Sequence, residues 1–344
     1  MKLISKMNKT NKFSLKSFFS KILEEVKINK LNDAEAIFLQ GLTDLQNSNI
    51  NRKEKLNSLY FLSRILQQKG ISKHGYEKLF RKTNPFKNQH FFNPQIIPSN
   101  GVFVDLGCGA HDPIALATYF YLNGFKKSYA IDMKPPSNEY FSALSMYSIL
   151  SNLFSFPERF IFQNKTENEI INLAKKFDLN KFEDGDFYGG FAPLVENLKY
   201  EICDIVDSSI KNESVSFLVS FAVLEHVDSL EEVLNKIYDL MMPGGIVYHF
   251  IDLMDHRAYR LDSEFHPLSF LADENPPKNL NRFRASEQLE AQKNAGFEII
   301  SSKASNKVDM PDEIYQKLSP KFKKMDLDDI CITKLHIVAR KKPN

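Results

Sequence analysis

Gly101-Val102-Phe103-Val104-Asp105-Leu106-Gly107-Cys108-Gly109 is the stretch that decides how this 344-residue chain reads. An apolar run rich in valine reads as a buried strand, and it ends on a carboxylate followed by two glycines. Asp112 and Pro113 come next, a helix-capping residue and one suited to the first helical position. Strand, glycine turn and helix start, in that order, set exposed N–H groups beside a carboxylate. That is a cradle for a polar cofactor. Taken alone, Gly107 and Gly109 read equally well as turn glycines required by sterics.

Outward from this stretch the pattern repeats. After a helical segment at 114–123, Ser128-Tyr129-Ala130-Ile131-Asp132 reads as a second buried strand ending in an acid. An acid at the end of the second strand of a βαβ unit takes both hydroxyls of a ribose. Its distance from Gly107 exceeds the roughly 20 residues of a dinucleotide fingerprint. Tyr200-Glu201-Ile202-Cys203-Asp204 ends a third apolar run on a carboxylate, followed by Ile205. Residues 215–224 form a fourth run and lead into Glu225-His226-Val227. Leu230, Val233, Leu234, Ile237 and Leu240 then follow at helical spacing. Met241-Met242-Pro243-Gly244-Gly245 reads as a turn into a strand at 246–251. A helix at 285–295, closed by Gly296, and strands at 297–301 and 329–340 complete the pattern.

This order resembles the class I S-adenosylmethionine-dependent methyltransferases. The matching pieces are Asp105-Leu106-Gly107-Cys108-Gly109, Asp132, Asp204-Ile205, residues 220–227 and Pro243-Gly244-Gly245-Ile246, over roughly residues 100–252. Each motif is weak alone, and their succession is strong. One departure is that Ala110-His111 stands where the family often has a third glycine. The resemblance implies an α/β fold: a Rossmann-like, seven-stranded, mostly parallel sheet with helices on both faces. It implies a methyltransferase domain over 91–344, preceded by an N-terminal helical extension over 1–90 and carrying a helical insertion at about 135–199. It also implies S-adenosyl-L-methionine as cofactor. Gly107, Cys108 and Gly109 would pass its methionine part, with Asp105 near the amino group. Asp132 would hold the ribose, Met133 and Ile205 would lie against the adenine, and Asp204 would accept from the adenine amino group. Ser220, Phe221 and Ala222 would line the pocket near the sulfonium. A nicotinamide-dependent dehydrogenase is the rival, but a diphosphate needs the longer G-x-G-x-x-G turn.

Composition bounds the partners. Lys+Arg 45 against Asp+Glu 43 leaves a formal charge of +2, far from the basic footprint of a nucleic-acid binder. Cys108, Cys203 and Cys331 lie far apart with no metal-ligand spacing and read as reduced thiols, so a cytoplasmic protein without a metal is expected. No apolar run reaches the roughly 18 residues of a membrane span. Residues 12–81 read as wholly helical. Within them Leu15, Phe18, Phe19, Ile22, Leu23 and Val26 form a stripe beside Lys2, Lys6, Lys9, Lys12, Lys16 and Lys21. Such a stripe packs on its own domain or lies on an anionic membrane surface. Sequence leaves the oligomeric state open. Phe141, Leu144, Tyr147 and Leu150 suggest one helix in the insertion, and Ile170, Leu173 and Phe177 another.

The acceptor is expected to be a small hydroxylated molecule such as a sugar or glycolipid, methylated on oxygen. A protonated hydroxyl is a poor nucleophile, and a base near neutral pKa helps by roughly 10²–10⁴-fold. Histidine suits that task. His226 and His256 are the candidates, His256 having Asp252 and Asp255 nearby to orient it, while His249 reads as structural. Carbon methylation of a quinone-like ring and a non-catalytic scaffold that kept the cofactor fold are the alternatives. Arg282 and Arg284 precede a helix against the dipole preference, and either an acidic acceptor or a surface role would account for them.

Overall fold

Neighbouring residues of a strand point to opposite faces, and here the two faces are filled differently. Phe103, Phe217 and Tyr248 belong to one buried cluster, and Val104, Leu218 and Val247 to the other. The computed structural model describes residues 92–109, 113–135, 156–177, 195–259 and 263–343, together with residues 21, 48–51, 54, 82–84, 86–87, 146, 149–150 and 152–154. The helical extension at 12–81, the turn residues Ala110-His111-Asp112, the stripe from Phe141 to Tyr147 and the middle of the insertion lie, all or nearly all, outside them.

The strands are β1 (Val102–Leu106), β2 (Lys127–Asp132), β3 (Leu198–Ile202), β4 (Val215–Phe221), β5 (Met241–Asp252), β6 (Glu298–Lys307) and β7 (Ile332–Arg340). They form one sheet in the order β3-β2-β1-β4-β5-β7-β6. The first five in that order run parallel, and β7 is antiparallel to both β5 and β6. Register keeps like faces together: Phe103 stands beside Phe217, and Val104 beside Leu218. The seven-stranded, mostly parallel sheet expected from sequence is therefore present.

The helices that flank the sheet follow their own local rules. Helix α1 (Ala115–Leu122) is buried on every side, and Phe120 stacks on Phe103 with ring centroids 4.2 Å apart. Helix α2 (Glu167–Ala174) opens on a capping box between Thr166 and Glu169. It buries Ile170, and Phe177 follows it into the same cluster. Helix α3 (Leu230–Leu240) is capped by the Ser229 hydroxyl and buries Leu230, Val233, Leu234, Ile237 and Leu240. Its stripe is the one read from sequence. Helix α4 (Ala285–Asn294) ends two residues before Gly296, whose φ is +101°. Among the described residues no helix is long and apolar enough to cross a membrane.

Several boundaries differ from expectation. The fourth strand stops at Phe221 rather than at 224, because Ala222 adopts φ 55°, which an extended strand cannot contain. The fifth begins at Met241 instead of 246. The expected turn at Pro243-Gly244-Gly245 is a kink within it, pinned where Gly244 N–H donates to Lys341 O and Lys341 N–H to Gly245 O. The sixth strand runs on to Lys307, and the seventh starts at Ile332. A third cluster, including Leu268, Phe270, Leu271, Phe322 and Ile330, anchors the irregular segment after β5.

Arg284 corrects the surface role given to it. Its side chain is fully buried and donates to the backbone carbonyls of Leu253 (2.8 Å), Ile330 (2.7 Å) and Ile332. Burial lowers its pKa to about 10, partly offset by Asp329 and Glu287. One planar guanidinium thus joins the end of β5 to the start of β7. Truncation would orphan three carbonyls, each buried unsatisfied group costing roughly 1–3 kcal/mol. Arg284→Ala is expected to lose about 3 kcal/mol or more in urea unfolding. Arg284→Lys should restore little of it, because a point charge cannot reproduce the fork.

Candidate active site

In open α/β sheets the ligand crevice lies at the carboxyl ends of the strands where strand order reverses. Here that point falls between β1 and β4. At the end of β1, Gly107 and Cys108 both donate their N–H to Ile131 O, at 2.8 and 3.1 Å. Gly107 has φ +70°, and a Cβ there would sit 2.2 Å from Val223 Cγ2. Gly109 has φ +88° with nothing within 4 Å of its Cβ position. The first glycine is required by packing, and the second leaves open space.

Asp132 closes the turn from the neighbouring strand. Its Oδ2 accepts from Gly109 N–H at 2.9 Å and its Oδ1 from Lys134 N–H at 3.1 Å. A carboxylate has about four lone-pair positions, so each oxygen keeps capacity for a further donor. Met133 beside it is 70% exposed. Asp105 is fully buried, with Lys82 Nζ 3.9 Å from its Oδ2. The same ammonium donates to Cys108 O at 3.4 Å and lies 5.6 Å from the Phe221 ring centroid. Asp105 thus already has a primary ammonium of the chain beside it. Burial, then Asp105 and Asp132, push the Cys108 thiol well up, so it stays protonated.

The remaining expected cofactor residues divide by exposure. Asp204 is half-buried and accepts from Val206 N–H through Oδ1. Ile205 is buried in the core on the α3 side of the sheet. Ser220 is fully buried, its hydroxyl 2.7 Å from His249 Nδ1. Phe221 packs on Phe86, Tyr248 and Phe250. Ala222 donates its N–H to Phe250 O. Asp132 and Asp204 are thus part-exposed at the strand ends, while the Asp105, Ile205 and Ser220 side chains are buried.

Beyond β4 the two candidate histidines meet. The rings of His226 and His256 stand 5.0 Å apart, edge to face. His226 Nδ1 lies 2.5 Å from Asn279 O. A carbonyl only accepts, so Nδ1 carries the proton and Nε2 the lone pair. Asn281 fixes the loop that bears His226, donating from its side chain to Leu224 O (2.7 Å) and Val227 O (3.2 Å). Burial and the neighbouring His226 hold the His256 imidazole below its usual range, against the opposing pull of Asp252 and Asp255. Asp255 itself is tied to Arg257, 2.7 Å away, which also pairs with Asp273. Asp252 holds the Tyr259 hydroxyl. Glu225, 1% exposed, accepts from Asp252 N–H at 3.3 Å, and burial raises its pKa to about 8 with Asp252 adding to the shift.

The family model described as a methyltransferase domain matches residues 73–302. The chain belongs to that family. The resemblance to class I S-adenosylmethionine-dependent methyltransferases is borne out by this match and by the strand order. Comparison with curated proteins finds no match. Among solved structures, the complex of the Haloferax volcanii Trm112 methyltransferase activator with its candidate methyltransferase is similar at 14% identity and TM-score 0.41, covering 83% of this chain and 97% of that one. An S-adenosylmethionine-dependent methyltransferase of Mesorhizobium loti has 13% identity and TM-score 0.36, covering 72% and 94%. Haemonchus contortus phosphoethanolamine N-methyltransferase 2 has 11% identity and TM-score 0.40, covering 84% and 57%. At such scores these likenesses carry nothing about the acceptor of this methyltransferase.

Lys82, Glu225 and Asn281 were not singled out by sequence reasoning as site residues. Lys82 falls in the expected helical extension, and only its placement beside Asp105 gives it meaning. Glu225 had a signal, as an acid directly after an apolar strand.

Gly107→Ala forces both a left-handed alanine, costing about 1–2 kcal/mol, and a clash with Val223; lowered thermal stability and weakened S-adenosylhomocysteine binding in calorimetry are expected. Gly109→Ala carries the same left-handed cost, since its φ is +88°, but meets no clash, so it should lose less stability than Gly107→Ala while also weakening binding. His249 is fully buried and burial lowers its pKa to about 3. A histidine with a depressed folded pKa stabilises fully above its unfolded value near 6.5, and that stability is lost as pH falls. Unfolding free energy should therefore decline between about pH 6.5 and 3, by up to roughly 1.4 kcal/mol per unit from this group. In His249→Gln the slope measured over the same window should be shallower.

Proposed function

We propose that this methyltransferase binds S-adenosylmethionine across the ends of β1, β2 and β4 and methylates an oxygen of a small hydroxylated acceptor, a sugar or glycolipid as a class. The observation that carries this reading is the convergence of the glycine turn with the His226–His256 pair along one edge of the sheet. When bound, the cofactor supplies an electrophilic methyl group on a sulfonium. Asp132, with lone pairs left over, holds the ribose hydroxyls. Asp105 takes the amino group in place of Lys82. Open space over Gly109 lets the backbone approach the methionine part, and Asp204 accepts from the adenine amino group.

The acceptor hydroxyl must lose its proton as the methyl arrives. His226 suits this because Asn279 O fixes its tautomer and leaves Nε2 basic. His256 stays neutral beside it and adds no positive charge against the sulfonium. Alignment of donor and acceptor contributes on the order of 7–11 kcal/mol in such displacements, so the fixed loop matters as much as the base. The charge balance of the whole chain does not favour a nucleic-acid acceptor.

Titration calorimetry with S-adenosylmethionine and S-adenosylhomocysteine is the first test, and both should bind. Absence of heat for both, with folded protein, would overturn the cofactor reading. Asp132→Ala should weaken binding by about 1.5–3 kcal/mol for each lost charge-assisted hydrogen bond. Mass spectrometry of metabolites and surface glycans with and without the gene should show one methyl on oxygen, and a methyl on carbon or nitrogen would sink the acceptor assignment. His226→Ala and His256→Ala should each lower turnover by roughly 10²-fold or more; full turnover in both would remove the proposed base.

A further inference from the structure

Glu225, His226 and His256 each offer one ligand atom, and these atoms all lie within 4.8 Å of one another. We propose that they form a binding site for one divalent transition-metal cation of the zinc class at the carboxyl ends of β4 and β5. The inference rests on the placement of the same imidazole pair as the proposed function, and a bound ion would take the lone pair that otherwise accepts the acceptor's proton.

The donor set is the first argument. Two imidazoles and a carboxylate are the ligands of open, three-residue sites for zinc and its neighbours, which leave a coordination position for water or substrate. Hard cations such as magnesium and calcium prefer all-oxygen sets. The second argument is what the buried atoms lack. Glu225 Oε2, Asp252 Oδ1 and His256 Nε2 are buried without a hydrogen-bond partner. Glu225 Oε1 has only a 3.3 Å contact from Asp252 N–H. Among the described residues no lysine or arginine pairs with Glu225 or Asp252, since Arg257 is taken up by Asp255 and Asp273. Asp252 N–H and the Tyr259 hydroxyl each occupy one oxygen of these two carboxylates and leave Glu225 Oε2 and Asp252 Oδ1 open to a cation. Metal-bound histidines commonly donate their other N–H to a carbonyl or carboxylate, and His226 does so to Asn279 O at 2.5 Å.

Metal–ligand bonds of about 2.0–2.1 Å require the three atoms to draw closer than they stand. His226 is exposed, and the approach it needs is one that keeps its Nδ1–H on Asn279 O, while Glu225 is held by its packing. With the cation bound, the imidazole lone pairs are ligands. An acceptor hydroxyl in the open position would then be acidified by the ion, its proton passing to solvent.

The test uses full-length protein freed of metal with a chelator and titrated with cobalt(II) and zinc(II). Expected is one equivalent of cobalt bound with a visible d–d band, displaced by zinc. His226→Ala, at an exposed position where folding is least at risk, should weaken binding at least tenfold, and His256→Ala and Glu225→Gln likewise. Absence of cobalt binding in the wild type, or an unchanged band in the His226→Ala variant with circular dichroism like the wild type, overturns the site. S-adenosylhomocysteine calorimetry on the same metal-free protein separates the two readings. Retained heat without metal binding leaves the methyltransferase standing and removes the ion, whereas metal binding without heat does the reverse.

Discussion

The carbonyl of Ile131 accepts two N–H groups, from Gly107 and Cys108, and the mouth of the sheet is built on that shared acceptor. It ties the first turn after β1 to the last residues of β2. Asp132 follows in the chain and completes the tie from its side chain by accepting from Gly109. Gly107 can occupy its place only without a side chain, because Val223 presses on it from beyond β4. Three strand ends are thereby fixed against one another by a single two-residue turn. Shape here is set by backbone, which is why the side chains around it are free to serve as donors and acceptors.

Around this turn the protein gathers acidic side chains. Asp105, Asp132 and Asp204 lie at or just beyond successive strand ends, and Glu225 and Asp252 lie behind the histidine pair. Lys82 answers the first of these from a distant part of the chain. The segment at 279–281 answers with hydrogen bonds instead: Asn279 O orients His226, and Asn281 clamps the loop that carries it. One edge of the sheet thus combines a rigid backbone cradle with a charged rim held from outside.

Much of the fold could be read from the chain because it is written locally. Strands ending in carboxylates, the α3 stripe and Gly296 after α4 each obey rules spanning a few residues, and so does the buried His249. The two candidate histidines could be named but not joined, since His226 follows β4 and His256 follows β5, and only strand pairing brings them together. Arg284 was misread for a related reason. Its partners are backbone carbonyls, which leave no trace in residue identity, so a buried guanidinium looks like a surface one. Lys82 escaped because its partner Asp105 is reached across the fold. The strand that ends at Phe221 instead of 224 shows the limit of apolar runs: Val223 and Leu224 are apolar because they pack, not because they extend.

The antiparallel strand β7 lies between β5 and β6, and this bears on how the chain assembles. During synthesis β5 leaves the ribosome with β4 already available on one side, but its other partner lies beyond residues 253–331. At about 5–20 residues per second that interval lasts on the order of 4–16 s. Throughout it the edge of β5 presents unpaired N–H and C=O groups, a template for association with other chains. When β7 arrives it seals that edge and receives β6 on its far side, and the Arg284 guanidinium locks its first residues to the end of β5. The order of strands in the sheet therefore seats a late-made strand between two made before it, and the interval before it is when a nascent chain would gain most from a chaperone.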